Sequence, residues 1–324
     1  MKILYACMKY DYGDPKRGLG YEYYNFYLTF KKMGLEIVEF DCMSILNKIG
    51  RKKMNLLLWD TVQNEQPDLL ICALMRDEFD PAVIRKISKE TNTTTYNWFS
   101  DDHWRYDRFS RHWAPMFNWV STTDQEAISK YHRDGYQNVI KTQWGFNPDI
   151  YKAQDTPYQY DVTFVGQVHS NRKSIINTLK KNGIQITCFG ADWPNGRIDQ
   201  EEMIAVFNQS RINLNLNNSS TNKWYRFWKK DRDQIKGRNF EVPGSGGFLL
   251  TGNADNLEKY FVPGKEIGLY ASEDQLTERI KYYLENESER EAIKTAGYRR
   301  SQEEHSYSRR FEVIFNTIFS NPVF

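Results

Sequence analysis

The sequence is short of several things that would have narrowed its class at once. It has only 4 cysteines in 324 residues, and Cys7, Cys42, Cys72 and Cys188 stand at no paired spacing. Three of them lie inside apolar runs, where a thiol behaves as a small buried hydrophobe. Neither a disulfide framework nor a zinc site is indicated. Histidine is scarce as well, with 5 in all. His112, His132 and His169 have no partner at ligand spacing and read as surface or packing residues. No apolar run approaches the roughly 20 residues of a membrane helix. The chain opens directly on Met-Lys-Ile-Leu-Tyr, a strand pattern rather than a charged leader before a long apolar stretch. These features point to the cytoplasm. Nor is there an excess of one charge: 44 basic against 42 acidic residues leave no global field to draw nucleic acid or a membrane surface.

What is present is length, alternation and aromatics. A chain of this size fits two domains of about 150 residues, each large enough for its own core. The aromatic share of 15%, with 21 Tyr and 9 Trp, is more than ordinary cores need. Flat rings with polar tips suit stacking on sugars or bases, and equally suit thick packing between layers.

Short apolar runs alternate with longer helical patterns, the mark of β-α-β units around a parallel sheet. Strands are expected at Lys2–Met8, Glu36–Phe40, Asp68–Leu74, Thr93–Phe99, Phe117–Ser121 and Asn138–Thr142. Helices fall between them at Tyr21–Met33 (stopped by Gly34), Asn55–Glu65, Asp80–Thr91 and Asp124–Tyr131. Two prolines and little periodicity mark a linker within Asn147–Tyr160. The pattern then restarts with strands at Asp161–Val165, Gln185–Phe189, Arg211–Leu216 and Gly247–Leu250. Helices are expected at Lys173–Asn182, Gln200–Ser210, Arg238–Pro243, Asn256–Tyr260 and Ser272–Glu285, with one more from about Tyr307. The expected domains are 1–150 and 151–306, with a terminal helix 307–324 placed to pack back on the first. The fold class is α/β, two Rossmann-like domains facing across a cleft. In such sheets ligands bind beyond the carboxyl ends of the strands, which selects the loops after Met8, Leu74, Phe99, Val165, Phe189 and Leu216.

One stretch concentrates chemistry. Gln234 to Leu250 reads Gln-Ile-Lys-Gly-Arg-Asn-Phe-Glu-Val-Pro-Gly-Ser-Gly-Gly-Phe-Leu-Leu. Cations at short spacing, here Lys236 and Arg238, neutralise a leaving diphosphate. A carboxylate such as Glu241 accepts bonds from two ribose hydroxyls. Glycines, here Gly244, Gly246 and Gly247, let backbone N–H groups approach phosphate oxygens. The same residue types also suit a solvated charge cluster beside a turn.

That stretch continues through Asn256-Leu-Glu-Lys-Tyr-Phe, Pro263-Gly-Lys-Glu, Leu269-Tyr, Leu276, Ile280, Tyr282-Tyr-Leu, Glu289-Arg-Glu, Gly297 and His305-Ser-Tyr-Ser-Arg-Arg. Taken with Phe164-Val-Gly-Gln, it resembles the CgeB-like branch of the group 1 glycosyltransferases. The resemblance is good over roughly the last 170 residues and looser over the first 150. It implies a GT-B fold, a nucleotide-diphosphate sugar as donor substrate (UDP- or GDP-type), no required cofactor or metal, and retention at the anomeric carbon. It further implies that Glu241 binds the donor ribose and that Lys236 and Arg238 hold the diphosphate. Gly166 and Gln167, with Arg172 beyond them, sit where such enzymes place a donor loop. Many members carry a second glutamate eight positions before the first; here Asp233 stands there, a departure that weakens the retaining expectation.

In the first half, Gly18 and Gly20 precede the first helix and fall where related enzymes hold the acceptor and reacting sugar, whereas Tyr21 and Glu22 read as the first turn of a packed helix. Asp101, Asp102 and His103 follow a strand directly. At a cleft edge they orient an acceptor hydroxyl or take its proton; an aspartate there also caps a helix. Asn222–Arg232 interleaves bases with aromatics, which suits a donor-site flap, a surface loop, or stacking on single-stranded nucleic acid. The expectation is a glycosyltransferase acting on a glycan, protein or small-molecule acceptor. The alternatives are a catalytically silent nucleotide-sugar-binding protein of the same fold, and one that acts on nucleic acid.

Overall fold

The computed structural model describes residues 1–217 and 233–319. The chain forms two units. Met1–Gln143 is completed by the terminal helix Tyr307–Phe319, and Trp144–Ser306 makes the second.

The first unit is built on six parallel strands: β1 (Lys2–Ala6), β2 (Glu36–Glu39), β3 (Leu69–Cys72), β4 (Thr94–Phe99), β5 (Trp119–Thr122) and β6 (Val139–Lys141), in the order β2-β1-β3-β4-β5-β6. Ile3 pairs with Ile37 on one side and Leu69 on the other. Parallel strands are covered on both faces and so read as unbroken apolar runs; all four residues of β3 are buried. Leu4, Leu70 and Phe99 meet Met54, Leu58 and Ile84 on one face. On the other, Ile3, Ile71 and Trp98 meet Phe26, Phe30, Phe311 and Phe315. The rings of Phe30 and Phe311 approach to 4.4 Å edge to face, and the Tyr21 and Tyr307 hydroxyls lie 2.8 Å apart. Much of the aromatic content of this unit therefore serves packing between layers.

The helix after β1 winds as a π-helix over Tyr23–Tyr27 before continuing as Leu28–Lys32, and Gly34 ends it at φ +75°. The helix Cys42–Ile49, absent from the sequence reading, starts where the Asp41 carboxylate accepts the Ser44 N–H.

Among its described residues the second unit carries five parallel strands: β7 (Tyr160–Val165), β8 (Ile186–Phe189), β9 (Ser210–Asn215), β10 (Leu249–Gly252) and β11 (Gly268–Tyr270), in the order β11-β10-β9-β7-β8. The first strand of each unit lies between the second and third, so strand order reverses there. Each sheet thus has a topological switch point, β1/β3 in one and β7/β9 in the other, where ligands bind in this class of sheet. The 18-residue helix Glu287–Glu304 is a further element that sequence periodicity did not reveal. All four cysteines are free and buried, with desolvation raising each thiol's pKa. Among the described residues no helix is long and apolar enough to cross a membrane.

Candidate active site

At the β7/β9 switch point the chain leaves β7 through Gly166-Gln167. Gly166 donates its N–H to Phe189 O at 2.9 Å, and Trp193 Nε1 donates to Gly166 O at 2.7 Å. Gly190, at φ +130°, follows β8 so closely that a Cβ there would lie 2.4 Å from Gly166 O. Arg172, the first residue of the helix Arg172–Lys181, reaches back over this loop. Its Nη1 donates to Gln167 O at 3.1 Å and its Nη2 to Leu216 O at 3.3 Å. One guanidinium thereby ties together the segments that follow β7 and β9, only 8% exposed. A side chain at position 166 would press on it, since a Cβ would come within 3.3 Å of Arg172 Nη1.

Two more cations join it. Lys236 donates its backbone N–H to Asn239 Oδ1 at 2.8 Å and its Nζ to Gln234 Oε1 at 2.8 Å. Asn239 belongs to a buried amide network: Asn215 Nδ2 donates to Asn217 Oδ1 at 2.6 Å and to Asn239 Oδ1 at 3.2 Å, and Asn217 Nδ2 donates to Gly252 O at 2.6 Å. A satisfied polar network in a low-dielectric interior is rigid, and this one fixes the loop that presents Lys236. Arg238 opens the helix Arg238–Gly244, donates from Nε to Val165 O at 3.3 Å, and pairs with Glu241. Glu241 is 0% exposed and also accepts the Tyr151 hydroxyl at 2.8 Å.

The charges at this edge act on one another and on a nearby histidine. Burial, then Arg238, lowers the Arg172 guanidinium to about 10. Burial, then Arg172 and Lys236, lowers His169 to about 4. A cluster that disfavours its own positive charge is stabilised by an anion, and a diphosphate offers several charge-assisted acceptors at once.

The structure brings Gly166, Gln167, Arg172, Lys236, Arg238 and Glu241 to one sheet edge. It gives the three later glycines another role. A Cβ on Gly244 would lie 2.5 Å from the Phe146 ring, one on Gly246 2.8 Å from Ala153 Cβ, and one on Gly247 2.9 Å from Phe207 O. The N–H groups of Gly246 and Gly247 are bonded to Pro243 O and Val242 O, both at 2.9 Å. These glycines end the helix Arg238–Gly244 and pack it closely, and the Gly246 and Gly247 N–H groups are already bonded within the chain. Asp233 is exposed, whereas Glu241 is buried.

In the first unit, Gly18 and Gly20 lie in the loop after β1, which closes on itself through Gly20 N–H to Lys9 O at 2.7 Å. The two aspartates after β4 part company. Asp102 is buried, accepts the Tyr131 hydroxyl at 2.9 Å and is lifted to about 6 by desolvation, so it is an internal carboxyl rather than a cleft-edge base. Asp101 is part-buried and acts on Glu22. His103 Nε2 stands 3.9 Å from Asp124 Oδ1. Asn222–Arg232 lies outside the described residues. Sequence reasoning read His169 as a surface or packing residue and did not mark a carboxyl cluster in the first unit. Glu22 is lifted to about 7 by burial, with Asp11, Glu78 and Asp101 adding to the shift. The available signal for Glu22 was a lone charge in the aromatic run Tyr21–Phe30. Among the described residues no three His, Cys, Asp or Glu side chains gather as a metal site.

Residues 172–316 match the family model described as glycosyl transferase-like. That match covers less than half of the chain. The fold is GT-B, two units each built on a parallel sheet, as in the solved structures it resembles. Sucrose-phosphate synthase from Thermosynechococcus elongatus superposes with a TM-score of 0.68 at 10% identity, covering 99% of this chain and 100% of the other. Anabaena HepE, solved in complex with UDP and glucose, gives 0.65 at 12% identity over 99% and 100%. A TarM variant from S. aureus, solved with Fondaparinux, alpha-GlcNAc-glycerol and UDP, gives 0.56 at 11% identity over 82% and 58%. No curated protein matches the sequence.

Proposed function

We propose that the chain is a glycosyltransferase, and that it takes its sugar from a nucleotide-diphosphate donor, of UDP type, bound at the β7/β9 edge of the second unit. The convergence of Arg172, Lys236 and Arg238 on that edge carries the reading. As the bond from the anomeric carbon to the diphosphate breaks, the sugar becomes oxocarbenium-like and negative charge grows on the departing phosphate oxygens. Arg172 and Lys236, already fixed by carbonyl and amide oxygens, meet that charge without reorganising, which is the main way a protein lowers such a barrier. The buried Glu241 carboxylate is the ribose partner. Arg238 releases it and turns to the phosphates when donor binds, since the ion pair now occupies one carboxylate oxygen. HepE structures with UDP and with UDP-glucose support the choice of base.

The finer points belong to the same reading: membership of the CgeB-like branch, retention at the anomeric carbon, independence of metal, and a glycan, protein or small molecule as acceptor. The first unit supplies the acceptor side, with Gly18 and Gly20 near the β1/β3 switch point and Asp101 and His103 beyond β4. Calorimetric titration with UDP, GDP, dTDP and ADP tests the donor site. One nucleotide should bind, and Lys236→Ala with Arg238→Ala should abolish it. Binding to none of them refutes the donor assignment, whereas binding without transfer of sugar from any conjugate to any acceptor or water favours the silent alternative.

A further inference from the structure

Beside the proposed diphosphate site stands a histidine for which the chemistry above has no use. His169 lies in the loop between β7 and the helix Arg172–Lys181, and its carbonyl accepts the Arg172 N–H at 3.2 Å. The ring is part-buried, and Nδ1 is buried with no hydrogen-bond partner among the described residues. Two cations act on it from different segments: Arg172 from its own, and Lys236 from the loop ahead of the helix Arg238–Gly244. Arg238 presses in turn on Arg172. A carboxylate also reaches this loop, where Glu273 Oε1 accepts Asn171 Nδ2 at 2.7 Å. Burial and the two cations hold the imidazole down to about 4, so it is neutral at pH 7. Neutral imidazole next to a cation cluster is a group whose protonation waits on an anion.

We propose that His169 is a proton-coupled contact for the donor's diphosphate. When the anion seats against Arg172 and Lys236, the ring takes one proton from solvent, and an imidazolium N–H donates to a phosphate oxygen. The proton returns to solvent when the diphosphate leaves. This rests on the donor reading above. Because linkage is reciprocal, a ring that gains a proton on binding makes the ligand bind more tightly at lower pH, by at most about tenfold per pH unit for one proton. No other cation in the cluster behaves this way, since lysine and arginine stay charged throughout this pH range.

The test is calorimetry of UDP and of inorganic pyrophosphate, each in buffers of different ionisation enthalpy between pH 6.5 and 8. Both ligands titrate on their own, with a phosphate pKa near about 6, so wild type is read against His169→Gln. Wild type should take up more protons per ligand bound, by up to one, and gain more affinity as pH falls. Equal uptake and equal pH slopes in the two proteins overturn the inference while leaving the donor site intact. No binding of either probe to wild type overturns the donor reading, and this inference with it. If His169→Gln fails to fold, the ring 15N shifts of wild type decide. Pyrophosphate should move His169 to the imidazolium pattern, and binding without that change refutes the proposal.

Discussion

Replacing Arg172 by alanine removes a side chain that joins the segments beyond β7 and β9 through Gln167 O and Leu216 O. Hydrogen bonds to a charged partner are worth about 1.5–3 kcal/mol each. Two forces act against that loss in the free protein: the guanidinium no longer has to be buried, and its repulsion with Arg238 disappears. Stability should therefore fall by only on the order of 1–2 kcal/mol. Donor binding has no such offset. Losing one charge-assisted contact to the diphosphate should weaken UDP by roughly 10- to 150-fold. Arg172→Lys should recover only part of this, because a single ammonium cannot span two carbonyls as a planar fork does. Calorimetric titration gives the affinity, and a thermal melt shows how much of the change is folding. An Arg172→Ala protein that melts near wild type and binds UDP within about twofold of it would refute the electrostatic account of the site.

Other perturbations separate the remaining assignments. Glu241→Gln keeps the shape of the buried side chain but loses its charge; UDP affinity should drop about tenfold while pyrophosphate, which has no ribose, binds as before. Equal losses for both ligands would remove Glu241 from the ribose. Phe311→Ala opens a hole among Phe26, Phe30 and Trp98 and should cost about 3–5 kcal/mol in denaturant unfolding; a cost under about 1 kcal/mol would mean the terminal helix adds little to its unit. Glu22 has a folded pKa of about 7 against an ordinary value of 4.5. The protonated form is the one the fold favours, so stability is full below about 4.5 and declines as pH rises to about 7. Glu22→Gln should accordingly gain on wild type across that window in melting temperature, and a pH-independent difference would contradict the assignment.

The parallel sheets were legible because each strand is a short unbroken apolar run between helical patterns, as at Leu69–Cys72 and Tyr160–Val165. The helix Glu287–Glu304 was not, and the cause is on its buried face. Of its buried residues Arg290, Ile293, Gly297 and Ser301, Ile293 alone is aliphatic, so no apolar period marks the face. Arg290 is held there by Tyr283 O at 2.7 Å, and Gly297 lets Glu266 O approach where a Cβ would lie 2.2 Å away. Within the site, Arg238 and Glu241 are three residues apart and could be seen together in the sequence. In the Gly244–Gly247 run close packing and phosphate binding both select glycine, so the sequence did not reveal the packing against Phe146 and Ala153. Asp101 and Asp102 looked alike for a similar reason, until the fold turned one toward Tyr131. His169 was passed over because Lys236, one of the charges that define it, is remote in sequence and meets it only across the β7/β9 edge.

The most direct test of the account is a crystal structure of the protein soaked with UDP. Difference density for the two phosphates against Gly166, Gln167, Arg172, Lys236 and Arg238, with the ribose at Glu241, is the predicted result. Density for the diphosphate at any other place on the chain would contradict it.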